Sequence, residues 1–213
     1  MVEISAIQQA VIEGDDAATV ALVREAVDQG ISPGDIINSG LQAGLIVVGN
    51  KFSSGEFFIP EMLLAARAVS RSLEVLKPLL SDTDSVTVGR VVLGTVAGDI
   101  HDIGKNLVGM LLTGAGFEVI DLGTDVPAAR FVAAIEEHHP DILGLSALLT
   151  TTMPSMEAAV AALADAGLRQ QVKVVVGGAP VTPHFAERIG ADGYGADGGM
   201  AIELCRRLVG KGA

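Results

Sequence analysis

The chain has 213 residues, of which 49% are hydrophobic and 19% charged, and its net charge at pH 7 is −12. A hydrophobic fraction of this size supports a buried core and excludes a disordered chain. The acidic excess repels the phosphates of nucleic acids and of anionic membranes, so we expect neither as a partner.

The first part of the chain, to about residue 80, shows only helical patterns. We expect four helices here. The first covers residues 3–13, and Asp15 or Asp16 caps the second. A serine followed by Pro33 indicates the start of the third helix, and Pro60 opens the fourth. Four short helices can bury their apolar faces against one another, so this part is predicted to form a four-helix bundle.

The second part alternates short apolar runs with amphipathic segments, which is typical of repeated strand–helix units. The predicted helices cover residues 105–114, 127–138, 154–166, 183–189 and 198–208. The predicted strands cover residues 86–96, 118–121, 142–146, 172–176 and 193–194.

We therefore expect an α/β fold with two domains. A helical cap domain covers residues 1–84, ending in a polar linker at Ser81–Ser85, and an α/β domain covers residues 85–213. Continuous apolar strands indicate a parallel sheet that is covered on both faces. Five strands give a doubly wound, flavodoxin-like sheet in the order 2-1-3-4-5, which binds ligands beyond the carboxyl ends of its strands.

The loop after the first strand contains a histidine, His101, between Asp99 and Asp102. A neighbouring carboxylate can orient the ring of a histidine, which suits a metal ligand or a general base. Equally well, the two acids can be explained by a loop before a helix, because the helix dipole favours negative charge at the helix N-terminus. The segment is not a phosphate loop, because five residues separate Gly98 from Gly104 and Asn106 replaces the required Ser or Thr.

Two further loops follow the third and fourth strands. Hydroxyl residues gather between Ser146 and Thr152, although helix capping alone can explain some of them. Gly177 and Gly178 end the fourth strand, where paired glycines let a flat ligand approach the backbone or simply form a turn. A receiver domain is excluded, because Ser146 stands where its phosphoacceptor aspartate is expected.

The chain carries no pattern for export or membrane insertion. No apolar run reaches about 18 residues, and the acidic N-terminus does not resemble a signal peptide. The single cysteine, Cys205, excludes an intramolecular disulfide and a zinc site of several thiolates. We expect a cytoplasmic protein.

Together the three loops resemble the signature of cobalamin-binding domains. The pattern is Asp99-x-His101-x-x-Gly104, then 41 residues, then Ser146-x-Leu148, then 28 residues, then Gly177-Gly178. With a helical domain in front, nearly the whole chain resembles the corrinoid proteins of methyltransferase systems. That family includes the carriers for methanol and methylamines and the corresponding modules of methionine synthase.

The resemblance implies a role for each motif residue. His101 is the lower axial ligand of cobalt, replacing the dimethylbenzimidazole of the cofactor (base-off, His-on), and Asp99 hydrogen-bonds to its other ring nitrogen. In methionine synthase a serine completes this relay, and Thr152 stands at that position here. Phe57, Phe58 and Met62 are candidates for an apolar lid, or else ordinary bundle core. The cofactor-binding residues implied are Asp99, His101, Gly104, Ser146, Leu148, Thr150, Thr152, Gly177, Gly178 and Tyr194, with Gly193 and Asp197 as further contacts of the nucleotide tail.

The function that the resemblance implies is methyl transfer. Such a carrier accepts a methyl group on Co(I) from a substrate-specific methyltransferase and donates it from methyl-Co(III) to a second methyltransferase. A reductive activator reduces cobalt that has been oxidised to Co(II), and the carrier catalyses nothing alone. The alternatives are a cobalamin-binding subunit of an adenosylcobalamin-dependent isomerase and a cobalamin sensor. The sequence names neither the methyl donor nor the acceptor.

Overall fold

A computed structural model of the chain describes residues 2–79 and 87–210. The predicted linker Ser81–Ser85 lies outside the described residues. Leu80, which the helical pattern places on the fourth helix, and Val86, where the first strand is predicted to begin, lie outside them too.

The chain divides into two structural units. One comprises Met1–Thr87 and Met110–Gly116, and the other comprises Val88–Gly109 and Phe117–Ala213. The predicted domain boundaries, 1–84 and 85–213, stay a prediction.

The first unit is helical, and the second, third and fifth of its α-helices begin at capping residues that the sequence provides. Asp15 accepts a hydrogen bond from the Ala18 amide (2.9 Å) and thereby starts the second helix. The backbone amide of Phe58 donates to the Glu61 carboxylate (2.9 Å) at the start of the long helix that contains Pro60. The elements are α1 (Ile4–Ile12), α2 (Asp16–Asp28), α3 (Pro33–Asp35), a π-helical segment (Ile36–Gln42), α4 (Ala43–Ser53), α5 (Ile59–Leu76) and a 3₁₀ turn (Lys77–Leu79).

The predicted third helix is interrupted, which the sequence pattern does not indicate. The π-helical segment Ile36–Gln42 separates α3 from α4. Glycines in and after this segment lie close to α1: a Cβ atom at Gly40 would be 3.1 Å from Ile7, and one at Gly44 would be 2.8 Å from Val11. The missing side chains therefore allow the two helices to approach closely, and Ile7 and Val11 are fully buried.

The second unit alternates strands and helices, as predicted. Its three inner strands are almost entirely buried, as expected of a sheet that helices cover on both faces, whereas the two edge strands are partly exposed. The elements are β1 (Arg90–Thr95), α6 (Ile103–Gly114), β2 (Glu118–Asp121), α7 (Ala128–His138), β3 (Ile142–Ser146), α8 (Met153–Asp165), β4 (Lys173–Gly177), α9 (Pro183–Arg188), β5 (Gly193–Gly195) and α10 (Gly198–Leu208).

The sheet confirms the predicted topology. Its five strands are parallel and ordered β2-β1-β3-β4-β5. The pairing register aligns Thr95 with Ser146, Ser146 with Gly177, and Gly177 with Gly195. The loops that the sequence singles out therefore begin side by side at the carboxyl edge of the sheet, next to the switch point between β1 and β3.

The predicted strand over residues 86–96 is too long at its amino end. In the described chain β1 begins only at Arg90, which pairs with Glu118, the first residue of the neighbouring strand β2. The described residues before Arg90 continue the apolar pattern of the sequence, but β2 has no residue that pairs with them in the sheet.

Candidate functional site

The site is built around two residues of the loop between β1 and α6. Asp99 is fully buried, whereas the side chain of His101 is 46% exposed. Asp99 Oδ1 lies 2.7 Å from His101 Nδ1 and also accepts a hydrogen bond from the His101 amide (3.1 Å). The Thr95 hydroxyl donates to the His101 carbonyl (2.9 Å). Both the ring and the backbone of His101 are thus fixed by neighbours.

The second carboxylate oxygen of Asp99 connects this loop to the loop after β3. Oδ2 accepts hydrogen bonds from the Leu148 amide (2.7 Å), the Leu149 amide (3.3 Å) and the Thr152 hydroxyl (2.7 Å). Thr152 is itself buried. The hydrogen bonds expected of Asp99 with His101 and with Thr152 are therefore present.

These contacts decide the charge of Asp99. Burial alone would raise the pKa of this carboxyl group. The hydrogen bonds from the Leu148 amide, the Thr152 hydroxyl and the amide and ring of His101 outweigh that effect and hold the pKa well below its usual range. Asp99 is therefore an anion that accepts from the Nδ1–H of His101, and Nε2 is the ring nitrogen that takes no part in this contact. Among the described residues, no protein group hydrogen-bonds to Nε2.

The remaining motif residues lie along the same edge of the sheet. Gly104 and Thr150 are exposed, Ser146 is partly buried, and Leu148 is 43% exposed. A Cβ atom at Gly104 would meet nothing within 4 Å, so the start of α6 borders open space.

The paired glycines after β4 are required by the backbone itself. Gly178 has a φ of +124°, and a Cβ atom there would lie 1.9 Å from the Ala147 carbonyl oxygen. A Cβ atom at Gly177 would lie 3.0 Å from the Gly195 carbonyl oxygen. The loop after β4 consequently lies directly against the backbone of the loop after β3, with no side chain between them.

The residues that were expected to contact a nucleotide tail differ in their surroundings. Tyr194 is partly buried and packs on the core of this unit. Asp197 accepts a hydrogen bond from the Met200 amide (2.9 Å), which caps α10. A Cβ atom at Gly193 would lie 2.7 Å from Leu204, so helix packing already explains this glycine.

The lid candidates belong to the helical unit. Phe58 is 66% exposed, while Met62 is completely buried. Phe57 is partly buried, and its ring lies 4.9 Å from Lys51 Nζ. The role of Phe58 and Met62 toward a cofactor stays a prediction.

Two features near the site were not predicted from the sequence. The Lys105 side chain is almost completely buried and donates to the carboxylate of Asp121 at the end of β2 and to Asn106. Asp125, in the loop after β2, is hydrogen-bonded to the loop that carries Asp99. Gly123, Asp125 and Pro127 are residues typical of turns, and they could have indicated a structured loop here.

Comparison with known proteins places the chain in a family. Residues 89–203 match the model of a B12 binding domain, and residues 3–77 match a second model with the same description. A corrinoid protein of Desulfitobacterium hafniense (strain Y51) is 42% identical over 208 residues, which cover 96% of each chain. The chain belongs to the B12-binding corrinoid proteins. This confirms the resemblance that the three loops indicate.

Two further relatives agree with this assignment. Trimethylamine corrinoid protein 1 of Methanosarcina acetivorans is 44% identical over 204 residues, covering 95% of this chain and 94% of the relative. A chain in the crystal structure of the methanol:cobalamin methyltransferase complex of Methanosarcina barkeri is 32% identical with a TM-score of 0.83, covering 97% of this chain and 79% of that chain. The predicted fold class is thereby confirmed.

The residues at the carboxyl edge fit a corrinoid. His101 presents a free, partly exposed ring nitrogen, and open space adjoins Gly104. Large apolar side chains surround this position without cover: Ile100 is 77% exposed and Ile103 79%, with Leu148 and Leu149 also exposed. A flat, largely apolar macrocycle is the kind of ligand that such side chains can cover.

None of the helices in the described part of the chain has both the length and the hydropathy of a membrane-spanning segment.

Proposed function

We propose that this chain carries a methyl group between two methyltransferases, accepting it from a substrate-specific enzyme and donating it to a second one. The proposal is supported by similarity to a trimethylamine corrinoid protein and to a chain of a methanol:cobalamin methyltransferase complex. When bound, the corrinoid supplies a cobalt ion that takes up and releases the methyl group. The alternatives, an isomerase subunit and a cobalamin sensor, are favoured by neither relative.

His101 is the proposed lower ligand of the cofactor, in a base-off, His-on arrangement. The observation that carries this assignment is the 2.7 Å contact between His101 Nδ1 and the buried Asp99 carboxylate. It keeps the ring proton on Nδ1 and leaves Nε2 as the only ring nitrogen available to a metal. A partly exposed imidazole at the switch point of the sheet is where a ligand of this fold is expected.

Asp99 and Thr152 tune this ligand. An anionic carboxylate on Nδ1–H makes the imidazole more basic and fixes its orientation. The Thr152 hydroxyl and the Leu148 amide hold Asp99 in that ionised form. If the ring were not bound to a metal, the hydrogen bond to Asp99 would still fix its orientation.

The nucleotide tail of the cofactor is proposed to lie against the carboxyl edge of the sheet, beside Ser146 and the paired glycines. Gly177 and Gly178 carry no side chain that would keep a flat group away from the backbone. Phe58 and Met62 remain proposed parts of a lid over the upper face. The residues assigned to the cofactor besides Asp99, His101 and Thr152 are Gly104, Ser146, Leu148, Thr150, Gly177, Gly178 and Tyr194.

The proposed partners are the donor and acceptor methyltransferases and a reductive activator that returns oxidised cobalt to its nucleophilic state. The choice of methyl donor is assigned to the partner enzyme. The expected cytoplasmic location stays a prediction.

Reconstitution with hydroxocobalamin followed by methylation tests the assignment of His101. We expect the wild-type protein to give the absorption spectrum of a nitrogen-ligated, six-coordinate methylcobalamin, and His101→Gly to give the base-off spectrum. His139→Gly is the matched control, because His139 is exposed and has a φ of 46° that glycine adopts without strain. The control should keep the wild-type spectrum.

The outcomes separate the two parts of the proposal. An unchanged spectrum in His101→Gly would refute ligation by this residue. A wild-type protein that stays colourless after reconstitution would refute corrinoid binding altogether. Methyl transfer is then tested by adding methyltransferases for methylamines and methanol to the reduced, loaded carrier, and loss of transfer in every combination would contradict the carrier function.

A further inference from the structure

Asp125 has an unusual backbone conformation beside the site. Its φ is 53°, and among the described residues only His139 shares a positive φ without being glycine. His139 ends helix α7, where a left-handed residue is common. Asp125 ends no helix and lies in the loop between β2 and α7, so its conformation requires another explanation.

Two hydrogen bonds hold Asp125 in this conformation. Its backbone amide donates to the carbonyl of Asp99 (2.9 Å), and its carboxylate Oδ1 accepts from the amide of Gly98 (2.7 Å). Both bonds therefore go to consecutive residues of the turn that carries Asp99 and His101. The left-handed conformation lets the amide and the carboxylate of one residue reach the same turn.

Two further backbone hydrogen bonds join the end of β1 to the same loop after β2. The Val126 amide donates to the Thr95 carbonyl (2.9 Å), and the Thr95 amide donates to the Gly123 carbonyl (3.0 Å). Gly98 itself has a φ of +83°. Because glycine adopts many backbone conformations, we expect the Asp125 carboxylate to limit the rotation of this turn, together with the bond from the Asp99 amide to the Val96 carbonyl (3.1 Å).

We propose that Asp125 is a positioning residue for the histidine ligand: it fixes the Gly98–Asp99 turn and thereby the direction in which His101 Nε2 points. Asp125 does not touch His101 and acts through Asp99. The part of this proposal that concerns cobalt rests on the proposed function. The part that concerns the His101 ring is a property of the chain alone.

Two substitutions at the same position test the proposal. Asp125→Gly adopts the left-handed conformation freely but removes the acceptor of the Gly98 amide. Asp125→Asn tolerates the conformation and keeps an acceptor oxygen at Oδ1. A role that depends on this hydrogen bond is lost in the first variant and retained in the second.

The first measurement uses the protein without cofactor. ¹⁵N NMR of the histidine rings should show His101 in the Nδ1–H form in the wild type and in Asp125→Asn, and a mixture of the two tautomers in Asp125→Gly. The second measurement uses protein loaded with cob(II)alamin. Electron paramagnetic resonance should show nitrogen coupling to cobalt, and the ratio of His-on to His-off cofactor should fall about tenfold in Asp125→Gly and less than about twofold in Asp125→Asn.

Two results would overturn the proposal: a wild-type tautomer and His-on ratio in Asp125→Gly, or an equal defect in Asp125→Asn. If the wild type binds no corrinoid, the proposed function fails, and the NMR measurement still decides whether Asp125 positions the ring. Circular dichroism and a urea unfolding curve for each variant establish that the compared proteins are folded.

Discussion

Aspartates at the two edges of the same sheet act in different ways. At the amino edge, Asp192 Oδ2 accepts from the Val174 amide (2.8 Å) and from the Arg169 guanidinium (2.8 Å). At the carboxyl edge, Asp99 Oδ2 accepts from the Leu148 amide (2.7 Å) and the Thr152 hydroxyl. Each carboxylate thus connects its own loop to a neighbouring one through a backbone amide.

The partners of the two carboxylates differ in charge. Asp192 is neutralised by Arg169, and Lys173 lies 3.5 Å away. Within the described residues, Asp99 is held by neutral donors and by an imidazole, and it forms no ion pair with lysine or arginine. The ion pair with Arg169 gives Asp192 a structural role. In the part of the chain that the structure describes, Asp99 has no such cation beside it, so its charge and orientation act on His101.

The largest effect is expected from glycines at the two edges. Gly178→Ala should lower the free energy of unfolding by about 3–5 kcal/mol, because the new Cβ atom would lie 1.9 Å from a backbone oxygen. Gly190→Ala, at the amino edge, should cost only about 1 kcal/mol, because its φ is +76° but no atom lies within 4 Å. Urea unfolding measures both, and equal costs would contradict this difference between the edges.

Removal of each aspartate should separate stability from cofactor chemistry. Asp99→Ala and Asp192→Ala should each lower the free energy of unfolding by about 2–4 kcal/mol, because both leave buried donors without a partner. Only Asp99→Ala should weaken the proposed bond between His101 and cobalt, as measured by the absorption spectrum of the loaded protein. A changed spectrum in Asp192→Ala, or an unchanged one in Asp99→Ala, would contradict the division of roles.

The smallest effect is expected from acid. Burial tends to raise the pKa of Asp192, but the Val174 amide, Arg169 and Lys173 lower it overall. The folded pKa is thus below the unfolded one, so the stabilisation is complete above about pH 4, where an ordinary aspartate titrates, and is lost as the pH falls through the folded value.

The difference in unfolding free energy between the wild type and Asp192→Asn should therefore be larger at pH 7 than at pH 3. Glu157→Gln is the control, because its ion pair with Arg188 (3.6 Å) is on the surface and contributes little at either pH. An Asp192→Asn difference that does not shrink in acid would show that the charge of Asp192 is not what stabilises the amino edge.

The sequence predicted the sheet and the main loops well. Buried parallel strands are continuous apolar runs bounded by glycine and proline, and their order follows from a common topology. The side-chain pair Asp99–His101 was visible because the two residues are close along the chain. Thr152 was accessible only through the resemblance.

The backbone hydrogen bonds of the site could not be predicted from the sequence. The Leu148 and Leu149 amides that hold Asp99, and the amides that link Asp125 to its turn, belong to groups that every residue carries. The π-helical segment was missed because helical periodicity does not distinguish one wide turn from an α-helix. Met62 was singled out for its position next to Phe58, although their exposures are opposite.

The uncovered leucines and isoleucines around His101 also affect the solubility of the protein. Ile100 and Ile103 are more than three-quarters exposed, and together with Leu148 and Leu149 they form an exposed apolar surface near His101. Such a surface can bind a second protein molecule as well as a ligand. We expect loss of the cofactor to cause aggregation of folded chains before it causes unfolding.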